Sequence, residues 1–462
     1  MISHTLRKSG LFGSLAATLT CSAQWTAAGL QVETDEVTNI CLDTVGDALY
    51  YCGESSQNGD NDFSDQVVSV YKNGQWDTLG TFNNRPNSVV NWHDTLVVGG
   101  WFTEVGGLPY KSIAAYHGGQ WHPYGSLGTW SSGVYRLCVL NDELYMIGAM
   151  DSVDGQAVQG IAKRQGNAWV PVGNLDASSP PIWQDLALWR DTLYGAGAIN
   201  INGTPYKDLV YLDGNEWKPV STGILGGFGA GRSLAVFQDQ LYVSGSIPIA
   251  AGNAGHGIMR WDGTAFHPVG TGFQGDGNNY QYLVGASDLE VHNGRLWAAG
   301  TFKYAGNVPA PFVASWDGQQ WCGLPAGPNL YVTSLAFYHD TLFIAPKVLV
   351  NGVDVNSAAY YADTNYTAVC SGFVGLEEAP AEMNARIVPN PTGGSSFVSV
   401  QGAGKLAGSA YTIVDATGRV CATGSVPPSF LIDVGSLKRG IYSVSVGGSS
   451  RRPKSLRLAV DD

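Results

Sequence analysis

The chain of 462 residues is too long for one small domain, and its 44% hydrophobic content is enough for a sizeable core. Its 61 glycines and 14 tryptophans against 14% charged residues suit tight turns between aromatic-packed strands, and no long segment has a helical period. The formal net charge of -13 describes an acidic body that repels phosphate backbones and anionic lipid, which argues against a nucleic-acid partner.

The N-terminus has the three parts of a secretory signal. Arg7 and Lys8 form the basic region, Leu11 to Thr20 the apolar one, and Cys21-Ser22-Ala23 a small-residue cleavage site. Residues 1–23 are therefore expected to be removed between Ala23 and Gln24. An apolar run this short cannot span a bilayer and no other stretch is long and apolar enough, so no transmembrane segment is expected. Thr18-Leu19-Thr20 is a poor match to the signal for a lipid-anchored Cys21. Cys41 and Cys52 flank one hairpin. Export permits a disulfide between them, and two small buried hydrophobes is the alternative.

From here a unit repeats. Between Asn87 and Gly125, four short apolar or alternating runs are each closed by turn chemistry, at His93-Asp94-Thr95, at Glu104 to Pro109 and at Gly118-Gly119. Such runs read as antiparallel strands joined by hairpins. The leucine after the first turn returns as Leu49, Leu96, Leu144, Leu193, Leu241, Leu296 and Leu342, at steps of 47, 48, 49, 48, 55 and 46. Two before it stands Asp47, Asp94, Asp142, Asp191, Asp239 or Asp340, with Gly294 the exception. The aromatic that opens the fourth strand keeps the same beat at Trp76, Trp121, Trp169, Trp217, Phe266, Trp321 and, more weakly, Tyr366. One four-stranded sheet has two apolar faces and cannot bury both alone, so a repeat of this period signals the stacked blades of a β-propeller.

The repeat resembles the kelch-like or galactose-oxidase-central-domain propellers of bacteria. The matching pieces are Gly99-Gly100-Trp101-Phe102, Ile113-Ala114-Ala115-Tyr116 and Trp316-Asp317-Gly318-Gln319-Gln320-Trp321. The resemblance implies an all-β fold, a seven-bladed β-propeller over residues 24–376, and says almost nothing about chemistry. Gln24-Trp25-Thr26-Ala27-Ala28-Gly29 copies the fourth-strand pattern of Trp76 to Gly80. This surplus copy is expected to close the ring by completing the blade begun near Val332, whose third strand is Ala358 to Tyr361. Tyr366 to Cys370 competes for that place with a weaker match. The loop Glu54 to Gln66 holds Asp60, Asp62 and Asp65 but lacks the glycine and terminal glutamate of a calcium loop, so it reads as a solvated acidic loop. Thr271 to Gly285 is the longest connection and accounts for the 55-residue step.

At Glu377-Glu378-Ala379-Pro380-Ala381-Glu382 the repeat stops, and residues 377–385 read as a linker. Residues 383–462 carry nine basic and four acidic residues. Strands are expected at Val398 to Val400, Tyr411 to Val414, Leu431 to Val434, Ile441 to Val446 and Leu456 to Val460, which describe a small β-sandwich over residues 386–462. The order of motifs in this module resembles the C-terminal sorting domain of the type IX secretion system (Por secretion type A). The motifs are Val388 to Gly393, Tyr411 to Arg419, Leu437 to Tyr442 and Lys454 to Leu458. The resemblance implies Pro389, Asn390, Pro391, Gly418, Arg419, Gly440 and Tyr442 as the sorting motif. It also implies the type IX machinery as partner and cleavage of the module after translocation.

Catalytic patterns are few. His93 and His339 share one position in the first hairpin turn, His292 is offset by one, and His122 and His267 follow the fourth-strand aromatic. Repeated placement marks a repeat-encoded surface role and not a converging metal site, so neither copper nor any other cofactor is expected. The Asp-Gly before the fourth-strand aromatic is similar to the Asp-box of sialidases, but a turn also needs those residues. Arg85, Arg136, Arg232 and Arg295 are scattered, and no GxSxG, HExxH or Walker-type loop is present.

A binding surface remains, on the fourth-to-first connections. Trp130, Trp183, Phe228 and Tyr280, with Tyr135 and Tyr282, suit sugar or peptide recognition, or else cap the channel and pack on one another. The expected function is a non-catalytic glycan- or protein-binding module, secreted or held on the outer cell surface after passage through the periplasm. An extracellular glycan-active hydrolase or lyase is the alternative. A cluster of acidic residues or arginines at one mouth of the channel would favour it.

Overall fold

The computed structural model describes residues 25–27, 41–44, 47–54, 66–128, 133–176, 180–201, 208–226, 231–275, 284–324, 327–328, 330–345, 348–350, 353–355, 358–361 and 370 of a first unit. Of a second unit it describes residues 386–388, 397–401, 410–415, 419–429, 431–446 and 454–460. The units divide at Gly372 and Phe373. Among the described residues the secondary structure is β, apart from one short 3₁₀ turn at Ile249–Ala251. No helix among them is long and apolar enough to cross a membrane.

The first unit is propeller-like. Among its described residues are seven antiparallel sheets built on four strands, numbered here in chain order. Sheet two is typical: Pro86–Trp92 pairs with Thr95–Gly100, then Ile113–His117, then Gln120–Pro123. The first strands touch in chain order from sheet to sheet, and that of sheet seven returns to that of sheet one. In the seventh sheet Trp25–Ala27 pairs with Ala359–Tyr361, so strands from both ends of the repeat region share one sheet, of which Trp25–Ala27 is the fourth strand. The expected turn at Glu104 to Pro109 is itself a small hairpin, Glu104–Val105 with Leu108–Pro109. Its Val105 pairs with Phe82 of sheet one, which thereby gains two strands.

Turn chemistry explains the recurring aspartate. The pairs His93-Asp94, Asn141-Asp142, Arg190-Asp191, Gln238-Asp239 and His339-Asp340 all have positive φ, between 47° and 62°. Two left-handed residues in a row define the type I′ hairpin turn, whose twist matches the strands, and aspartate and asparagine tolerate that conformation best. The same turns bind sheet to sheet. His93 Nε2 lies 3.1 Å from Asp142 Oδ1, Arg190 Nη2 2.7 Å from Asp239 Oδ2, and His292 Nε2 3.0 Å from Asp340 Oδ1. His339 pairs with Asp47 and carries the series across the closure.

The fourth-strand tryptophan is the wedge between sheets. Trp121, Trp169, Trp217 and Trp321 donate their indole N–H to the carbonyls of Leu79, Tyr124, Val172 and Val269 in the preceding sheet, at 2.7–3.0 Å. Each acceptor lies three residues after that sheet's own wedge aromatic, and a glycine follows it. A Cβ on Gly80 would lie 2.6 Å from Trp121 Nε1, and one on Gly173 2.8 Å from Trp217 Nε1. The glycine of one sheet is thus the socket for the indole of the next. Where the wedge is Phe266, the preceding socket position holds Ser221.

Cys41 and Cys52, open in the sequence between a disulfide and two buried hydrophobes, stand opposite each other in register, and Cys52 is buried. A disulfide joins Cys322, in the fourth strand of sheet six, to Cys370, 48 residues on and just ahead of the unit boundary. The competitor segment for the last blade, Tyr366 to Cys370, therefore ends on sheet six; its residues 366–369 lie outside those described, as do residues 55–65 of the acidic loop.

The second unit has a three-stranded sheet, Arg386–Val388, Phe397–Gln401 and Leu431–Asp433, and a four-stranded one, Val420–Ser425, Ala410–Asp415, Gly440–Val446 and Lys454–Val460. Ile387, Val398, Ile413, Ile432, Val444 and Leu458 from both sheets form one apolar cluster. The sequence pattern anticipated five of these strands but neither Arg386–Val388 nor the glycine-containing Val420–Ser425.

Three outcomes are expected. Trp217→Ala, which removes a wedge that is 4% exposed, should cost about 3–5 kcal/mol in a denaturant titration. Gly80→Ala, which fills a socket, should cost about 1–3 kcal/mol; a change near zero in either would place the indoles outside the core. Cys370→Ser should lower stability by about 2–4 kcal/mol against the oxidised parent.

A fourth outcome concerns pH. The Thr264 hydroxyl, the amides of Ala265 and Thr264, and His267 hold the Asp262 carboxyl well below the usual range. A depressed carboxylate stabilises the fold above its unfolded pKa of about 3.9, and that contribution is lost as pH falls through the lower folded value. Asp262→Asn should therefore lower the melting temperature at neutral pH and flatten its decline below about pH 4.

Candidate functional site

The innermost strands carry a polar column in an otherwise apolar setting. Eight residues before each repeat leucine stand Cys41, Ser88, Arg136, Asp185, Ser233, Asp288 and Ser334. In sheets two to six the first strand has a β-bulge just ahead of this position, between Pro86 and Ser88, Val134 and Arg136, Trp183 and Asp185, Gly231 and Ser233, and Ala286 and Asp288. A bulge leaves one residue unpaired and re-aims its side chain.

The column is stitched from sheet to sheet. The Leu137 amide donates to Ser88 Oγ at 3.0 Å, Leu234 to Asp185 Oδ2 at 2.8 Å, Leu289 to Ser233 Oγ at 3.1 Å and Leu335 to Asp288 Oδ2 at 3.0 Å. Each acceptor serves the amide one position further along in the next sheet. Arg136 breaks the rule, because a guanidinium cannot accept. The Leu186 amide it would have served turns to Asp185 Oδ1 at 2.9 Å.

Arg136 instead donates. Its Nε lies 3.1 Å from Asp185 Oδ1 in the adjacent sheet, and its Nη1 3.9 Å from Asp288 Oδ1, three sheets on. One side chain that reaches both places its guanidinium in the space the seven first strands enclose. The Arg136 side chain is 39% exposed and that of Asp185 3%. Burial pushes the Asp185 carboxyl up, while Arg136 and the amides of Leu234 and Leu186 oppose that rise. Both of its oxygens are engaged. The cluster is a clasp across the axis, and its carboxylates have no unengaged oxygen on Asp185 to offer a substrate.

One position ahead of the column, the bulge residues Tyr135, Gln184, Arg232 and Ser287 border it. Arg232 is exposed, and the half-buried Tyr135 ring lies 5.7 Å from Trp101. Among the described residues no group of three or more histidine, cysteine, aspartate or glutamate side chains is arranged to hold a metal ion.

Trp183 is not the surface ring expected. It is fully buried, donates its indole N–H to the Gln159 carbonyl at 2.8 Å and packs 4.7 Å from Trp217. The residue just before a bulge points into the seam between sheets. Its equivalents Val134 and Ala286 are buried too, and their apolar character was the available signal. Trp130, Phe228, Tyr280 and Tyr282 lie outside the described residues, as do Ala23, Gln24, Pro389, Asn390, Pro391 and Gly418. In the second unit Arg419 ties its own hairpin to Asp415, with Nε 3.1 Å from Oδ2. The buried Tyr442 donates its hydroxyl to the Lys438 carbonyl at 2.7 Å, and Gly440 begins that strand. Sequence reasoning named Arg136 only as one of several scattered arginines. The column that gives it meaning is legible once the strands are aligned on the repeat leucine.

No family model and no curated protein matches the chain. Among solved structures it is similar to PorZ, an essential bacterial surface component of the type-IX secretion system of Porphyromonas gingivalis. Identity is 15% and the TM-score 0.42, over 92% of this chain and 60% of that one. It is also similar to the β-propeller domain of the Trilobed protease from Pyrococcus furiosus, with 10% identity, TM-score 0.37, and 74% and 100% covered. A third is the extracellular domain of the putative one component system BT4673 from B. thetaiotaomicron, with 9% identity, TM-score 0.24, and 94% and 75% covered.

Arg136→Leu should cost about 1–3 kcal/mol near neutral pH, the buried-pair penalty reduced by the exposure of the guanidinium. An acid whose folded pKa is raised is stabilised in its neutral form, so its penalty grows as pH rises above the unfolded value near 4. The deficit of the variant against the parent should then shrink from pH 7 to pH 5 in denaturant titrations. A deficit that grows over that range would assign the loss to packing and not to Asp185.

Proposed function

We propose that the chain is a secreted seven-bladed β-propeller of the kelch-like kind that binds an extracellular glycan or protein without catalysis. Residues 386–462 form a β-sandwich that the type IX secretion machinery reads as an address, after a signal peptide has taken the chain into the periplasm. The observation that carries the non-catalytic part is the engagement of the channel carboxylates. Asp185 is spent on Arg136 and backbone amides, and Asp288 on the Leu335 amide, whereas a glycosidase needs two carboxyl groups free to face one bond.

The test has two arms. The mature chain, applied to polysaccharide digests and to printed glycan and peptide arrays, should retain a ligand and release no product. Reducing ends or unsaturated sugars accumulating with enzyme-like turnover would establish the hydrolase or lyase instead. In a host with the secretion system, deletion of residues 383–462 should leave a folded propeller trapped in the periplasm. Its appearance on the cell surface would overturn the sorting assignment.

A further inference from the structure

The seam that closes the ring differs from those of sheets four to six and shares its first-turn histidine with the seam of sheets two and three, where His93 turns to Asp142. In the seam of sheets four and five, Arg190 projects from the first turn of one sheet, and its Nη1 donates to the Asp262 carbonyl in the third-to-fourth turn of the next. In the seam of sheets five and six, Gln238 occupies the same position and its Nε2 donates to the Asp317 carbonyl at 3.2 Å. These side chains bridge the groove between the two turns. At the seam of sheets seven and one the position holds His339, whose ring is shorter and turns to Asp47 in the first turn of sheet one. The turn at Asn73-Gly74 is left without that bridge.

What remains there is an open pocket of about 380 Å³, within the range of small-molecule sites. Its floor is Phe343, which is 3% exposed. Tyr71 stands edge-on to Phe343 at 5.7 Å and to Tyr338 at 6.0 Å, and Tyr360 lies 5.6 Å from Phe343. The Asn73 amide and the Thr341 hydroxyl complete the wall. Burial pushes the Tyr71 and Tyr338 phenols up, so both keep their protons; the Tyr338 hydroxyl donates to the Asp47 carbonyl at 3.4 Å.

We infer that this pocket binds a neutral saccharide. The lining combines aromatic faces with hydroxyl and amide groups and has no carboxylate, ammonium or guanidinium among the described residues. An anionic ligand would meet only the His339 imidazole, which is already turned to the Asp47 carboxylate, and a cationic one would lack a carboxylate in the lining to offset its desolvation. A wholly apolar ligand would leave the amide and hydroxyls unpaired. A sugar ring matches both halves, with its C–H face on the tyrosines and its hydroxyls on the polar rim. This rests on the proposed binding function and assigns it a place.

The structure supplies its own blocking variant. His339→Arg reproduces the residue at the equivalent position in sheet four, and its guanidinium would lie across the pocket toward the third-to-fourth turn. The mature chain is screened on an array of neutral oligosaccharides, and the best-retained one is titrated calorimetrically against parent, His339→Arg and Tyr360→Ala. Binding at least about tenfold weaker in both variants, with the melting temperature of His339→Arg unchanged or raised, supports the site. Equal binding in all three would overturn it and leave the binding function standing. So would retention of peptides alone, which would replace sugar as the ligand class. Retention of no probe of any class would overturn both.

Discussion

The structure depends on one contact made at four of the seams, an indole set under the end of the preceding sheet with its N–H bonded to a main-chain carbonyl. A buried indole N–H without a partner is costly, and a ring that size fits only where the backbone ahead of it has no side chain. Hence the two ends of the short motif serve different seams. Trp169 wedges against sheet two, where Gly125 receives it, while Gly173 of the same strand receives Trp217 of sheet four. Neighbouring repeats are therefore coupled in residue choice as well as in contact.

With the walls so specified, variation is confined to positions the wedge does not use. Along the inner column, serine and aspartate catch an amide of the next sheet, and any small acceptor would do. One arginine in that column changes the electrostatics of the axis. It creates a cation where an acceptor is needed, draws in the carboxylates of two other sheets, and leaves the amide it abandoned to a local bond. The same economy applies to the first turns. Arginine and glutamine reach the third-to-fourth turn of the next sheet at two seams, whereas His93 and His339 turn to its first-turn aspartate, although all four occupy one type I′ position.

The second unit builds its own core from two sheets, and the described residues that carry its resemblance to a sorting domain also hold that core in shape. Tyr442 buries its ring and ties down the loop before its strand, and Arg419 clamps the hairpin it ends. Such residues are constrained by folding whatever reads them from outside.

The repeat, its four strands, the hairpin aspartates, the wedge tryptophans and the closure by Trp25 were legible in the sequence, because each is local chemistry that recurs along the chain. The boundary near residue 377 showed as a change of charge and period. Other features arise between sheets, where the order of residues is silent about distance. Cys322 on sheet six finds Cys370, and Arg136 reaches Asp288 across the axis. Trp183 turns inward because a bulge begins after it, and a pocket opens beside His339 at the seam of sheets seven and one. Repetition reveals what every blade shares; only the closed ring brings together the single residues in which the blades differ.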